Sequence, residues 1–144
     1  MAVDRRAFLT MALLALACLG CGEAVDVARE EFGPRALLKK YTWFKDAAAA
    51  LDQKKADIKV YERRLTALDE AYKGVARKNW PRDDREQRAI WEAELSGVRA
   101  SYNALAAEYN AAMAKENWRF AEVGKLPPGA SEPLPREFKP YEEG

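Results

Sequence analysis

Histidine is absent from this chain of 144 residues, and cysteine occurs only twice, at Cys18 and Cys21. Without histidine, the protein lacks the side chain that most often serves as a general base and as a metal ligand. Because no cysteine follows Cys21, the sequence excludes disulfides, zinc knuckles and iron–sulfur clusters from the region after it. We therefore expect no metal, no other cofactor and no catalytic triad in that region.

The chain also lacks an excess of charge of one sign. It has 24 Lys and Arg against 23 Asp and Glu, a net charge of +1, so no bulk field favours nucleic acid. Neither a glycine-rich phosphate loop nor a Gly-x-Ser-x-Gly motif occurs. Three acidic pairs are the remaining candidates for catalysis: Asp69-Glu70, Asp83-Asp84 and Glu92-Glu94. Such pairs are common on the solvated faces of long helices, so we predict a non-enzymatic protein without a small-molecule substrate.

The first 20 residues are typical of an export signal. Residues 1–6 are charged, and the apolar run Ala7–Gly20 is shorter than the roughly 20 residues that cross a membrane. The paired arginines and the apolar residues after them resemble the twin-arginine export motif. The residues of this motif are Arg5, Arg6, Phe8 and Leu9. An ordinary secretory signal is the alternative, so the export route stays open.

Cys21 follows Leu19-Gly20, and this pattern resembles the bacterial lipobox, whose cysteine becomes the lipid-modified first residue of the mature protein. Cys18 is the second choice, and cleavage without lipid attachment is the other alternative. The resemblance implies a lipid anchor on the periplasmic side of the cell envelope. Gly22, in a position where aspartate would signal inner-membrane retention, implies the outer membrane. Residues 1–20 would then be the signal peptide, and residues 21–34 the lipidated N-terminus and tether.

Hydrophobic periodicity predicts an all-α fold in which residues 35–123 form an antiparallel two-helix hairpin, with helices from Arg35 to about Tyr72 and from Asp83 to about Ala121. Apolar seam positions follow a 4-3 alternation typical of coiled coils. In the first helix they are Leu37, Tyr41, Phe44, Ala48, Leu51 and Ile58, then Tyr61, Leu65, Leu68, Tyr72 and Val75 after a slip of three residues. In the second helix they are Trp91, Leu95, Val98, Tyr102, Leu105, Tyr109 and Ala112.

Local residues predict where the second helix begins and ends. Asp83 with Glu86 is a candidate capping box at the start of the second helix. Gly124, followed by Pro127 and Pro128, is expected to end that helix. Gly97 weakens the helix but permits close approach of a neighbour. The two predicted helices lie in segments of opposite net charge. Residues 35–82 carry 13 basic and 6 acidic side chains, whereas residues 83–144 carry 8 basic and 12 acidic ones. This difference favours pairing of the two helices.

Residues 124–144 form a Pro-rich tail that holds five of the seven prolines, so we expect extended, polyproline-like chain there. This tail either docks back on the hairpin through Phe138 and Tyr141 or serves a partner as a ligand peptide. Several aromatic residues beside the seam are candidates for binding a protein partner or a second copy. They are Trp43, Trp80, Trp118, Phe120, Phe138 and Tyr141.

As a whole, the chain resembles the small helical envelope lipoproteins encoded by bacteria or phages, and residues 4–21 carry this resemblance. It implies a scaffold, adaptor or accessory subunit of a membrane-associated complex. The alternative is a phage or prophage envelope lipoprotein, such as a spanin-like lysis or exclusion factor, for which the proline-containing tail is the cue.

Overall fold

Two long helices packed against each other dominate the computed structural model, which describes residues 33–142. Helix α1 spans Pro34–Ala71 and helix α2 spans Arg82–Lys115. One short 3-10 helix, Arg77–Asn79, lies between the two long helices, and two others, Arg119–Ala121 and Val123–Lys125, follow α2. No strand occurs within residues 33–142, and the all-α prediction with two long helices is confirmed.

Residues 33–142 divide into two compact units, one of residues 33–41 and 127–130 and the other of residues 42–126 and 131–142. In the first unit, the amide of Leu37 donates to the carbonyl of Gly33 at 3.0 Å, and Pro34 takes the first helical position, where no amide hydrogen is needed. Gly129 has a φ of +94°, and a β-carbon there would lie 3.6 Å from the methyl carbons of Leu38. The turn at Gly129 therefore favours glycine.

In the second unit, contacts between α1 and α2 pair rising residue numbers on one helix with falling numbers on the other. They are the Phe44 and Tyr109 rings at 5.3 Å, Lys54 Nζ and Ser101 Oγ at 2.7 Å, Glu62 and Arg99 at 2.8 Å, and Asp69 and Arg88 at 2.9 Å. The helices are therefore antiparallel. In both ion pairs the arginine belongs to α2 and the acidic residue to α1. This is the opposite of the net charges of the two segments, which are positive for residues 35–82 and negative for residues 83–144. Which ion pairs form depends on the side chains that face each other and not on the net charge of each segment.

A left-handed glycine ends the turn that follows α1. Gly74 has a φ of +82°, and the Val75 amide donates to the Tyr72 carbonyl at 2.9 Å. This conformation costs L-residues energy but not glycine.

Helix α2 does not begin with the predicted capping box. The residue before the helix is Pro81, no side chain caps the first turn, and Glu86 instead pairs with Arg82 at 2.6 Å. Asp83 and Asp84 lie in the first turn, where carboxylates interact favourably with the positive end of the helix dipole. Proline at this position has no side-chain acceptor, so the acidic residues contribute through charge.

The end of α2 comes at Lys115, about six residues earlier than predicted. Asn117 adopts a φ of +49°, its amide donates to the Ala114 carbonyl at 3.0 Å, and the Trp118 amide donates to Met113 at 3.0 Å. These two bonds form a Schellman motif, with asparagine in the place that glycine usually occupies. The sequence pattern missed this end because the apolar spacing continues beyond it.

The hydrophobic core of the second unit is thick at one end of the helix pair and thin at the other. Its completely or almost completely buried side chains are Phe44, Leu51, Ile58, Tyr102, Tyr109, Met113 and Phe120. Toward the turn, the predicted seam residues Tyr61, Leu65, Leu68, Tyr72, Trp91 and Val98 are only half-buried. Val75, also a predicted seam residue, is 45% exposed. The difference arises because the chain after α2 packs against the first end as a third layer.

The buried stripe of α2 also drifts from the predicted positions. Ala106 and Met113 are buried, whereas Leu105 and Ala112 are half-buried. A straight helix rotates by about 20° for each seven residues relative to a strict heptad pattern, and the third layer covers the flank that the drift exposes. The 4-3 alternation was therefore correct for Leu95, Tyr102 and Tyr109, and it was one residue too early at Ala106 and at Met113.

Candidate interaction site

The six aromatic residues that the sequence offers for partner binding occupy different environments. Trp80 is 7% exposed, Phe120 0% and Phe138 5%, so the chain itself covers these three side chains. Tyr141 is half-buried. Trp43 and Trp118 are exposed, at 39% and 36%. Of the six residues, Trp43 and Trp118 are therefore the ones whose side chains are exposed to a partner.

Trp80 completes the turn between the helices. Its ring stacks on Tyr72 with 4.6 Å between centroids, and its Nε1 donates a hydrogen bond to the Val75 carbonyl at 3.0 Å. A buried indole needs such a partner for its N–H group. The role of Trp80 is therefore to hold the turn.

Phe120 lies in an aromatic cluster at the other end of the helix pair. Its ring is 5.2 Å from Phe44, Phe44 is 5.3 Å from Tyr109, and Tyr109 is 4.9 Å from Phe138. Two of the three contacts are edge-to-face, the arrangement that aromatic quadrupoles favour. Through this cluster the tail becomes part of the core.

Two asparagines of α2 hold the main chain of the tail. Asn110 accepts from the Phe138 amide and donates to the Phe138 carbonyl, both at 2.8 Å. Asn103 makes the same pair of bonds with Tyr141, at 2.6 Å to the amide and 3.2 Å to the carbonyl. Each side-chain amide thus satisfies both polar groups of one extended residue, as a neighbouring strand would.

The tyrosine that precedes each asparagine adds a further bond to the tail. Tyr109 donates to the Pro135 carbonyl at 2.5 Å, and Tyr102 donates to the Lys139 carbonyl at 3.0 Å. We call the four side chains Tyr102, Asn103, Tyr109 and Asn110 the tail groove. The sequence carries a signal for this groove that the apolar periodicity does not detect: the dipeptide Tyr-Asn occurs twice, seven residues apart, on one face of α2.

The end of the tail reaches α1 through a polar cluster. The Tyr141 hydroxyl donates to Glu62 Oε1 at 3.1 Å, and Arg99 pairs with the same carboxylate at 2.8 Å while lying 5.4 Å from the Tyr141 ring centre. Burial, and then the bond to Glu62, raise the pKa of the Tyr141 phenol. Burial alone raises the pKa of Tyr109. Both phenols therefore favour the neutral form that donates.

Three of the acidic residues that the sequence offers for catalysis, Asp69, Asp84 and Glu92, are engaged in contacts near the turn. Arg88 is 9% exposed and binds Asp69 through two nitrogens, at 2.9 and 3.0 Å, and Glu92 through the third. The bond from Arg88 lowers the pKa of the Asp69 carboxyl. Asp84 accepts a bond from Tyr72, and this bond raises the pKa of the phenol. Asp69 thus joins α1 to α2, Asp84 joins α2 to the residue that follows α1, and Glu92 binds Arg88 within α2.

No group of three or more metal-binding side chains occurs among residues 33–142. An open cleft of about 510 Å³ lies along α1, lined by Lys59, Glu62, Arg63, Thr66 and Ala67. Within the same residues, neither helix has a stretch apolar and long enough for a membrane span.

The predicted lipidation sites Cys21 and Cys18 lie outside the described residues, as do the export-motif residues Arg5, Arg6, Phe8 and Leu9. No family model, curated protein or solved structure matches this chain.

Proposed function

We propose that the protein is a non-enzymatic, lipid-anchored adaptor or accessory subunit of a membrane-associated complex. It acts on the periplasmic side of the cell envelope, at the outer membrane. The location is supported by residues 4–21, where paired arginines, an apolar run and Cys21 follow one another in the order of a lipoprotein signal. In this proposal the lipid on Cys21 holds the helix pair at the membrane surface.

The observation that carries the adaptor role is the exposure of two tryptophans in a unit that buries its other large aromatic rings wholly or partly. Trp43 packs edge-on against Phe44 at 4.9 Å, and Trp118 lies under the guanidinium of Arg136 at 4.7 Å. Both indoles are thus held in place while more than a third of their surface stays exposed. Tryptophan is enriched at the energetic centres of protein interfaces because it contributes a large area at a small entropic cost.

The structural engagement of the acidic pairs supports a role without catalysis. Asp69, Asp84 and Glu92 each bind Arg88 or Tyr72, as described above. The bonds of Asp69 and Asp84 hold α2 to the end of α1 and to the residue that follows it. A general acid or base needs instead a pKa matched to a substrate in a pocket.

The anchor is tested by the substitution Cys21→Ser. We expect the protein to move from the membrane fraction to the soluble periplasmic fraction, because lipid chains contribute about 0.8 kcal/mol for each buried CH₂ group. Cys18→Ser is the matched control and should leave the protein in the membrane. Membrane retention of the Cys21→Ser protein, with no lipid mass on the native N-terminal peptide, would contradict the proposal.

The adaptor role is tested by purification of the tagged protein from solubilised membranes. Trp43→Ala together with Trp118→Gly should lose the co-purifying partner; glycine is chosen because residue 118 has a φ of +53°. Ile90→Ala removes an apolar side chain that is 51% exposed and should keep the partner. If both variants retain the same proteins as the unaltered chain, or no protein co-purifies, the adaptor role is wrong.

A further inference from the structure

The tail groove recognises main-chain atoms of the segment that fills it. Five of its six hydrogen bonds to the tail are to the amide or carbonyl of Phe138, Lys139 and Tyr141, and the sixth is to the carbonyl of Pro135. None of these bonds requires that the tail and the groove belong to one molecule. The side chains add two ring contacts, Phe138 on Tyr109 at 4.9 Å and Tyr141 on Tyr102 at 6.0 Å.

The spacing of the groove matches an extended, proline-containing peptide. Its two Tyr-Asn pairs are seven residues apart, which is about 10.5 Å along an α-helix. The tail residues held by the two asparagines, Phe138 and Tyr141, are three apart, which is about 9.3 Å and one full turn in polyproline II conformation. Both aromatic side chains therefore return to the same face, and prolines at 135 and 140 lie where no amide donates to the groove.

The connection between α2 and the tail contains backbone strain. Asn117 and Trp118 both have positive φ, at +49° and +53°, and a bulky residue such as tryptophan pays a cost for this conformation. Strained connections favour exchange of the segment they carry, because release of the strain offsets part of the cost of association. The tail is also at the C-terminal side of both helices, so it can leave the groove without interrupting α1 or α2.

We propose that the tail groove binds the tail of a second copy of this chain, so that two molecules exchange their C-terminal segments and form a dimer. The contacts in the exchanged form are those seen within one chain. The groove fits the incoming segment because that segment has the same sequence as the chain's own tail. Exchange competes with binding of the molecule's own tail, and it therefore increases with protein concentration. The proposal does not rest on the lipid anchor or on the two exposed tryptophans.

The test uses two full-length variants, one that loses the asparagine side-chain bonds of the groove and one that loses the aromatic rings of the tail. The groove variant carries Asn103→Ala and Asn110→Ala; both residues lie within α2, where alanine favours the helix. The tail variant carries Phe138→Ala and Tyr141→Ala. In a mixture, the intact tail of the groove variant can bind the intact groove of the tail variant.

We expect each variant alone to sediment as a monomer and the mixture to form a complex of twice the monomer mass. The thermal midpoint of the mixture should exceed the average of the two variants. Gln87→Ala removes an exposed amide elsewhere on α2 and is the matched control for the groove variant. Mixed with the tail variant it should form less of the complex, because its tail still binds its own groove.

Phe138 is 5% exposed, and its loss can unfold the tail variant. Circular dichroism at 222 nm before mixing identifies this case, and Tyr141→Ala alone then replaces the double substitution. Monomers in every mixture would overturn the proposal. Binding of a synthetic peptide of residues 131–142 to the tail variant, without complex formation between the two variants, would also overturn it, because the groove would then take the segment only when the segment is detached from its own chain. Neither result would affect the adaptor role tested with Trp43 and Trp118.

Discussion

Leucine-to-alanine substitutions at two positions of α1 should have clearly different costs, because the third layer covers only one end of the helix pair. Leu51 is 0% exposed, whereas Leu65, fourteen residues later on the same predicted seam, is half-buried. Removing three carbons from a fully buried site loses about 2.4 kcal/mol of transfer free energy, at about 0.8 kcal/mol for each methylene. The cavity that remains raises the cost of Leu51→Ala to about 3–4 kcal/mol.

At Leu65 the transfer loss is roughly halved and no closed cavity forms, so we expect Leu65→Ala to cost about 1 kcal/mol. Urea unfolding followed by circular dichroism at 222 nm measures both free energies under identical conditions. Comparison within one helix removes differences in helix propensity, since the residue change is the same. Equal costs at the two positions, or a larger cost at Leu65, would refute the inference that the tail side of the helix pair holds most of the core.

Gly97→Ala should raise the free energy of unfolding by up to about 1 kcal/mol, because a β-carbon there meets no atom within 4 Å and α2 gains helix propensity. Gly74→Ala is the control, and it should lower the free energy of unfolding by about 1–2 kcal/mol because the φ of +82° at Gly74 disfavours any β-carbon. Urea unfolding of both variants measures the two free energies. A Gly97→Ala protein less stable than the unaltered chain would contradict the prediction. Because folding raises the pKa of Tyr109 and Tyr141, the stability they contribute is present below about pH 10 and falls as pH rises through the folded pKa. Urea unfolding at about pH 8 and about pH 11 should show a larger loss for the unaltered chain than for Tyr109→Phe, and an equal loss would argue against a buried phenol at this position.

Apolar periodicity predicted the two helices because each helix must bury one continuous stripe, and that requirement acts over many residues. The boundaries at Pro34 and Ala71 are close to the prediction because proline and the left-handed Gly74 act locally. The end of α2 at Lys115 was missed because asparagine, which the pattern treats as an ordinary polar residue, occupies the left-handed position. Gly97 was expected to permit close approach of a neighbouring segment, yet a β-carbon at this position would have no atom of another segment within 4 Å. The position of a glycine in the sequence carries no information about what packs against it.

The candidate site shows the limit of sequence-based prediction more strongly. The sequence offered the six aromatic residues for partner binding, but whether such a ring contacts a partner or the chain's own core depends on where the tail lies. That placement rests on Asn103 and Asn110, two polar residues whose spacing is visible in the sequence but whose bonding to Phe138 and Tyr141 is not.

The sequence by itself determined the helical class of the fold and its two long helices, and it predicts an extended tail and an exported lipoprotein. These features follow from local chemistry: periodic burial, the backbone restrictions of proline and glycine, and the order of residues at the N-terminus. The tertiary structure alone decided that the tail forms a third layer, that Phe120 and Phe138 are core residues, and that Trp43 and Trp118 stay exposed. These outcomes depend on contacts between segments that are distant in the sequence, such as Asn110 and Phe138, which are 28 residues apart. Such a contact forms only in the folded chain, so the residues next to an aromatic ring in the sequence do not show whether that ring is buried.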